Sequence, residues 1–183
     1  MLLGEERSAR IAQIFTGVPQ DEFEQTAREM PLMPGAVEAV VGLRSLGYKV
    51  GIITDSYLVV SEIVRRRVFA DFSIANLMRF QDRLATGQFV PSPFYSHPHG
   101  RQEHRHCKLN ALRHFTEGLE LSPLQFLAVG DGLNDVCLLR AAGLSVAFQP
   151  KHRTVIEAAD HVLYEDLSLL PELARETLAV DMA

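Results

Sequence analysis

The stretch AVGDGLNDVCLLRAAGLSVAF, Ala128 to Phe148, decides the fold. It begins inside an apolar run, QFLAVG (125–130), that stops at Asp131 and Gly132. A helical pattern follows from Asp135 to Ala142, and a second apolar run, LSVAF (144–148), comes directly after it. An apolar strand, a helix and another apolar strand in succession imply a parallel sheet covered by helices, because parallel strands need a crossover and are buried on both faces.

The same alternation extends outward. YKVGIIT (48–54), FSIA (72–75) and HVLY (161–164) are further short β-branched runs. PGAVEAVVGLRSLG carries Pro34 near a helix start, apolar residues at helical spacing and Gly47 as a stop; Leu58 to Val68 reads as another helix. The chain is therefore predicted to be α/β, with helices on both faces of a parallel sheet. Residues 1–30 differ in kind: IAQIF, Gly17 and PQDEFEQTAREM predict two short helices with no strand between them, a helical appendage to a core over 31–183. Arg79 to Lys108 also stands apart, with a turn signal in ATGQ and then a Pro- and His-rich tract without periodicity, PSPFYSHPHGRQEHRHCK.

Composition excludes several classes of function. A chain of 183 residues holds one sizeable core, and 47% hydrophobic with 22% charged residues is a globular balance. A net charge of -5 gives no reason to expect nucleic acid, and Arg65, Arg66 and Arg67 read as a solvated helix face. The opening MLLGEERSAR turns charged too early for a secretory signal, and no apolar run is long enough to span a membrane. Cys107 and Cys137 are the only cysteines and imply no disulfide framework, so a reducing, cytoplasmic setting is expected.

Ligands of such sheets bind at the carboxyl ends of the strands. After QFLAVG come Asp131, Gly132, Asn134 and Asp135, hard oxygen donors of the kind Mg²⁺ takes. The plainer alternative is an Asp-Gly turn with Asp135 capping the next helix. After YKVGIIT, which ends at Thr54, Asp55 and Ser56 open a helix where a hydroxyl and free N–H groups can hold a phosphoryl oxygen; a simple cap is again the alternative. Lys108 opens the helical pattern CKLNALRHF, where it opposes the helix dipole unless an anion lies beside it.

In the order Thr54, Lys108, Asp131 to Asp135, these sites resemble the second, third and fourth motifs of the haloacid dehalogenase superfamily. The likeness is to its phosphoserine phosphatase branch: MPGAVEAVVGLRSLGYKVGIITDS, FADFSIANLM, ATGQF and AVGDGLNDVCLLRAAGLSVAF follow that branch's order over about Met30 to Leu167. The resemblance implies a Rossmann-like core, part of a helical cap in residues 1–30, and Mg²⁺-dependent hydrolysis of a small phosphorylated metabolite through an aspartyl-phosphate. It implies that Thr54 binds the phosphoryl group, that Lys108 neutralises it, and that Asp131 and Asp135 hold Mg²⁺, with Asn134 beside them. Arg10 is the nearest counterpart of the cap arginine that grips a substrate carboxylate. ITDSY departs from the Ser-Gly-Gly often found at the second motif, so phosphoserine is one candidate substrate among several.

One piece is absent. The family's nucleophile lies in a first motif, DxDx(T/V), at the end of an apolar strand, and no Asp-x-Asp occurs upstream of Thr54. The chemistry needs one carboxylate to attack phosphorus and a second to move protons. In the resembled fold that strand lies between the strands ending at Thr54 and Asp131. Its absence predicts a sheet split in two with two rows of unpaired backbone groups, each costing about 1–3 kcal/mol when buried, which argues against a stable lone monomer. Three explanations stand: a truncated form of a longer protein, completion by a second chain or a missing N-terminal segment, or a non-catalytic relative that binds a phospholigand or a partner.

Two other readings are set aside. A P-type ATPase phosphorylation domain carries a similar GDG-x-ND stretch followed closely by proline, but Val136 and Cys137 follow here. His97, His99, His104 and His106 beside Cys107 match no closed zinc spacing and read as a solvated loop over the site, able to contact an anionic substrate.

Overall fold

The computed structural model of the chain describes residues 4–97, 107–119 and 121–181. Two helices come first, α1 (Gly4–Ile14) and α2 (Gln20–Glu29). Gly17 turns the chain between them at a φ of 82°, which glycine adopts without strain. Then follow α3 (Ala36–Ser45), β1 (Gly51–Tyr57), α4 (Leu58–Arg67), β2 (Phe72–Gln81) and β3 (Leu84–Val90). The remainder alternates: α5 (Lys108–Leu119), β4 (Leu127–Gly130), α6 (Val136–Leu139), β5 (Leu144–Phe148), α7 (Arg153–Ile156), β6 (His161–Leu163) and α8 (Leu170–Asp181).

The strands form two three-stranded sheets, ordered β1-β2-β3 and β4-β5-β6. β1 and β2 are parallel, with Gly51 opposite Phe72 and Ile53 opposite Ile74. β4, β5 and β6 are all parallel, and Leu127 to Gly130 lie opposite Leu144 to Ala147. The parallel pairs read from the alternation are present, and so is the split expected from the missing strand.

β5 is buried at all five positions, and its alternating side chains serve two cores. Leu144 and Val146 pack with Leu43, Leu170 and Ala174 from α3 and α8. Ala147 packs on the opposite face with Leu112, Leu138, Leu139 and Val155 from α5, α6 and α7. Each fully buried leucine or valine contributes about 1.5–3 kcal/mol, so these two layers anchor the second sheet. In the other half, Phe23 of α2 stacks edge-on with Phe15 at 5.1 Å and with Phe80 of β2 at 5.7 Å. That cluster fixes the N-terminal helices on β2 and β3.

Two sequence expectations are corrected. Asp55 and Ser56 do not open a helix: β1 runs on through both to Tyr57, and α4 begins only at Leu58. ATGQ is not a turn; it lies inside β3, which pairs antiparallel with β2 from Leu77 opposite Val90 to Gln81 opposite Leu84. The chain reverses at Asp82 and Arg83, both at positive φ (51° and 64°), the conformation of a two-residue hairpin turn. Among the described residues no helix is long and apolar enough to cross a membrane.

Candidate active site

The carboxyl ends of β1 and β4 meet. Asn134, four residues beyond β4, donates from Nδ2 to the Asp55 carboxylate of β1 at 2.8 Å. Asp55 is held from three further sides: Arg7 of α1 lies 3.5 Å from the same carboxylate oxygen, and the Asp55 carbonyl accepts from Asn76 Nδ2 at 2.9 Å and Ser8 Oγ at 3.3 Å. The Tyr57 hydroxyl donates to the Ser8 carbonyl at 2.7 Å, so α1 is tied to the end of β1.

Thr54 sits one residue earlier. Its hydroxyl accepts from the Ser56 amide at 3.2 Å, and its carbonyl accepts from the Tyr95 hydroxyl at 2.6 Å. Burial pushes the Tyr95 phenol far above its ordinary range, and the nearby Asp55 carboxylate adds to the shift. Tyr95 is therefore a neutral donor at any physiological pH.

Around Asp135 the loop closes on itself. Oδ2 accepts from the amides of Asp131 at 3.1 Å and Gly132 at 3.0 Å, while Oδ1 lies 2.6 Å from Lys108 Nζ. Asp135 is 2% exposed, so this buried charge needs Lys108 opposite it. Gly130 is required by the approach: a Cβ there would stand 2.4 Å from the Asp135 Cβ. Lys108 is the first residue of α5, and the buried carboxylate beside it offsets its unfavourable place at a helix N-terminus.

Asp131, by contrast, is half exposed and pairs with Lys151, whose pKa is raised by that hydrogen bond and charge. The loop back from β5 is held by the Lys151 amide, which donates to the Asp131 carbonyl at 3.1 Å. A cleft of about 730 Å³ runs from this corner along α1 and α2, lined by Arg7, Phe15, Phe23, Asp55, Ser56 and Tyr57 among others.

The structure thus gathers Thr54, Asp55, Ser56, Lys108, Asp131, Asn134 and Asp135 at one corner. Arg10 is exposed and does not line the cleft; Arg7, one turn earlier on α1, does. Lys151, Tyr95 and Arg7 are the site residues that sequence reasoning missed. His97 is not solvated as expected: it is buried, with Nε2 2.9 Å from the Glu117 carboxylate, whereas His99, His104 and His106 lie outside the described residues.

Comparisons with known proteins converge on one group. Residues 103–166 match the family model for haloacid dehalogenase-like hydrolases. The chain is 33% identical over 152 residues to a phosphoserine phosphatase of Mycobacterium tuberculosis, covering 82% of this chain and 35% of that protein. It is 30% identical over 155 residues to a phosphoserine phosphatase of a Polaromonas species, covering 85% of this chain and 63% of that one. It spans about a third of the first relative and less than two thirds of the second. Among solved structures, a phospho-aspartyl intermediate analogue of phosphoserine phosphatase superposes with a TM-score of 0.77 at 22% identity, covering 98% of this chain and 78% of that one. An apo phosphoserine phosphatase gives a TM-score of 0.76 at 23% identity, covering 96% and 80%. The chain belongs to the haloacid dehalogenase superfamily, on the branch of the phosphoserine phosphatases.

Proposed function

We propose that this chain carries the phosphate-handling corner of a phosphomonoester hydrolase acting on a small phosphorylated metabolite, phosphoserine-like in class. The observation that carries the reading is the joined corner itself, in which Asn134 bridges to Asp55 and Lys108 to Asp135 where the carboxyl ends of β1 and β4 meet. Thr54 and Ser56 offer hydroxyls to phosphoryl oxygens, and Lys108 supplies the positive charge that steadies them. Asp135 positions the Asp131 loop by accepting two of its amides. Arg7, at the entrance of the cleft, takes the part earlier given to Arg10, toward an anionic group on the substrate.

Mg²⁺ fits this corner through Asp131, which is half exposed, with Asp135 close behind it. Among the described residues no cluster of three or more metal-binding side chains is preassembled, which suits an ion that takes one or two carboxylates and completes its shell with water and phosphate oxygens. When bound, the ion would neutralise charge on the phosphoryl group.

The attacking carboxylate, which becomes the aspartyl-phosphate, is assigned to a residue outside this chain. Residues 1–183 alone are accordingly expected to turn over little or no substrate. A cytoplasmic setting is in keeping with Cys107 and Cys137, neither of which is in a disulfide among the described residues. A second reading, a non-catalytic phospholigand- or partner-binding protein, draws on the lack of any Asp-x-Asp upstream of Thr54.

The test is hydrolysis of an aryl phosphate with Mg²⁺ by residues 1–183 and by the chain extended upstream along its genomic reading frame. Turnover in the extended form alone, lost in its Lys108→Met variant, is the expected result. Phosphate binding by both forms without turnover in either would give the second reading its place.

A further inference from the structure

β1 keeps register with β2 from Gly51 to Ile53, opposite Phe72 to Ile74, and then slips before it pairs again at Tyr57 with Asn76. The slip falls on the stretch that carries Thr54 and Ser56, the hydroxyls offered to phosphate. Side chains hold the backbone there: the Thr54 carbonyl accepts from the Tyr95 hydroxyl at 2.6 Å, and the Asp55 carbonyl accepts from Asn76 Nδ2 at 2.9 Å. Both donors are buried, Tyr95 at 1% exposure and Asn76 at 0%. The Thr54 hydroxyl is oriented by the same backbone, since it accepts from the Ser56 amide at 3.2 Å.

The other end of Tyr95 reaches a different part of the chain. Its carbonyl accepts from the Cys107 amide at 3.2 Å and from Asn110 Nδ2 at 3.1 Å. Cys107 is the residue before α5, and its own carbonyl accepts from the Asn110 amide at 3.0 Å, so these bonds fix the first helical turn. Lys108 lies inside that turn, with Nζ 2.6 Å from Asp135. Between the two ends the ring packs with Ile74 of β2 and Ala111 of α5. A packed ring keeps one rotamer, so the distance from its hydroxyl to its carbonyl is nearly constant. The hydroxyl stays a donor, because burial and the charges of Asp55 and Asp135 all disfavour its anion.

We infer, given the hydrolase reading, that Tyr95 is a positioning residue: a strut that sets the separation of Thr54 and Lys108, and so of the hydroxyl and the ammonium that grip one phosphoryl group. It acts through those two residues rather than on the phosphoryl group, because its hydroxyl is committed to the Thr54 carbonyl and lies 3.3 Å from the Ile74 carbonyl. The need for a strut follows from the fold. Thr54 stands near the end of β1, Lys108 pairs with Asp135 beyond β4, and among the described residues no backbone ladder joins the two sheets. A misplacement of about 1 Å between groups that act together can cost about a hundredfold.

The test titrates inorganic phosphate, with Mg²⁺, into residues 1–183 and their variants, and follows thermal unfolding beside it. Tyr95→Phe keeps the ring and the carbonyl and removes only the bond to Thr54; phosphate affinity is expected to fall by about tenfold or more. Asn110→Ala loosens the other end, is expected to do the same, and carries the test should Tyr95→Phe not fold. In the double variant the two losses are expected not to multiply, because a strut cut at one end transmits nothing from the other; two independent structural defects would multiply. Ser145→Ala removes a buried hydroxyl bonded to Asp160 at 2.7 Å on β5. It is expected to lower the melting temperature about as much as Tyr95→Phe and to leave the affinity within about twofold. Affinity kept in Tyr95→Phe and Asn110→Ala but lost in Lys108→Met would overturn the inference alone. So would an equal loss in Ser145→Ala, or multiplying losses in the double variant. Phosphate that does not bind the parent chain, or binds it indifferently to Lys108→Met, would overturn the hydrolase reading and the inference with it.

Discussion

Asp135 accepts three bonds on two oxygens, two from amides and one from a lysine, and all but disappears from solvent. The amides orient the carboxylate, but only Lys108 cancels its charge. Lys108→Ala leaves that charge buried and uncompensated, so a loss of about 3 kcal/mol is expected, read as a fall in melting temperature of about 6–12 °C. A loss under about 1 kcal/mol in denaturant titration would show the pair to be screened by water. Asp131→Asn makes the contrasting case: its partner Lys151 is 70% exposed, and such pairs contribute little, so stability should change by less than about 0.5 kcal/mol. Any stabilisation by Mg²⁺ with phosphate should nonetheless disappear in that variant; if it persists, Asp131 is not the metal's carboxylate. Thr54, Asp131 and Asp135 were legible because each follows an apolar run. Lys151 obeys the same rule after LSVAF, but three residues late, past Gln149 at a φ of 44°, whose bend the sequence does not announce. Arg7 and Arg10 lie about one turn apart, and only the position of β1 beneath α1 selects between them.

At the scale of elements, long apolar runs with clear ends were legible and the hairpin was not. β2 and β3 alternate weakly, and their turn is Asp82-Arg83 rather than the Asn-Gly that would have marked it. This gives a prediction with two opposed effects. Arg83→Gly relieves a left-handed residue, a gain of about 1 kcal/mol, and removes an exposed ion pair with Asp21, a loss of about 0.3 kcal/mol. The backbone bond from the Gln20 amide to the Arg83 carbonyl survives the change. A net stabilisation of about 0.7 kcal/mol is expected, and a destabilised variant would show that the ion pair matters more than its exposure suggests. The tie between α4 and β2 is sensitive to pH. Glu62 accepts from Arg65 and from the Ser73 hydroxyl at 2.7 Å, bonds that hold its carboxyl below the ordinary 4.5. A depressed acid stabilises the fold fully above its unfolded pKa, and that contribution is lost as pH falls through the folded value. Glu62→Gln should therefore cost about 1 kcal/mol at neutral pH and progressively less below pH 4.5. A deficit unchanged down to pH 3 would place the effect in packing instead.

For the whole molecule, the decisive feature is a parallel architecture interrupted in the middle. The sequence showed this through a missing motif rather than through anything present, since no residue pattern marks a gap between strands. Among the described residues the two sheets share no backbone ladder; they meet through Asn134 and Asp55 and through α5, whose Ala111 packs with Ile53 and Ile74 while Leu112 packs with Leu138. Cooperativity between them therefore rests on side chains alone, and the halves should open with different free energies. β5 is buried at every position, whereas β1 runs from exposed Gly51 through half-buried residues to Tyr57, so the β1-β2-β3 half should open first. Native-state hydrogen exchange on residues 1–183 at rising denaturant would read this as two isotherms, with the amides of β1 and β2 merging below those of β5. A single isotherm in the chain alone would mean that α5 and the Asn134 bridge already couple the halves.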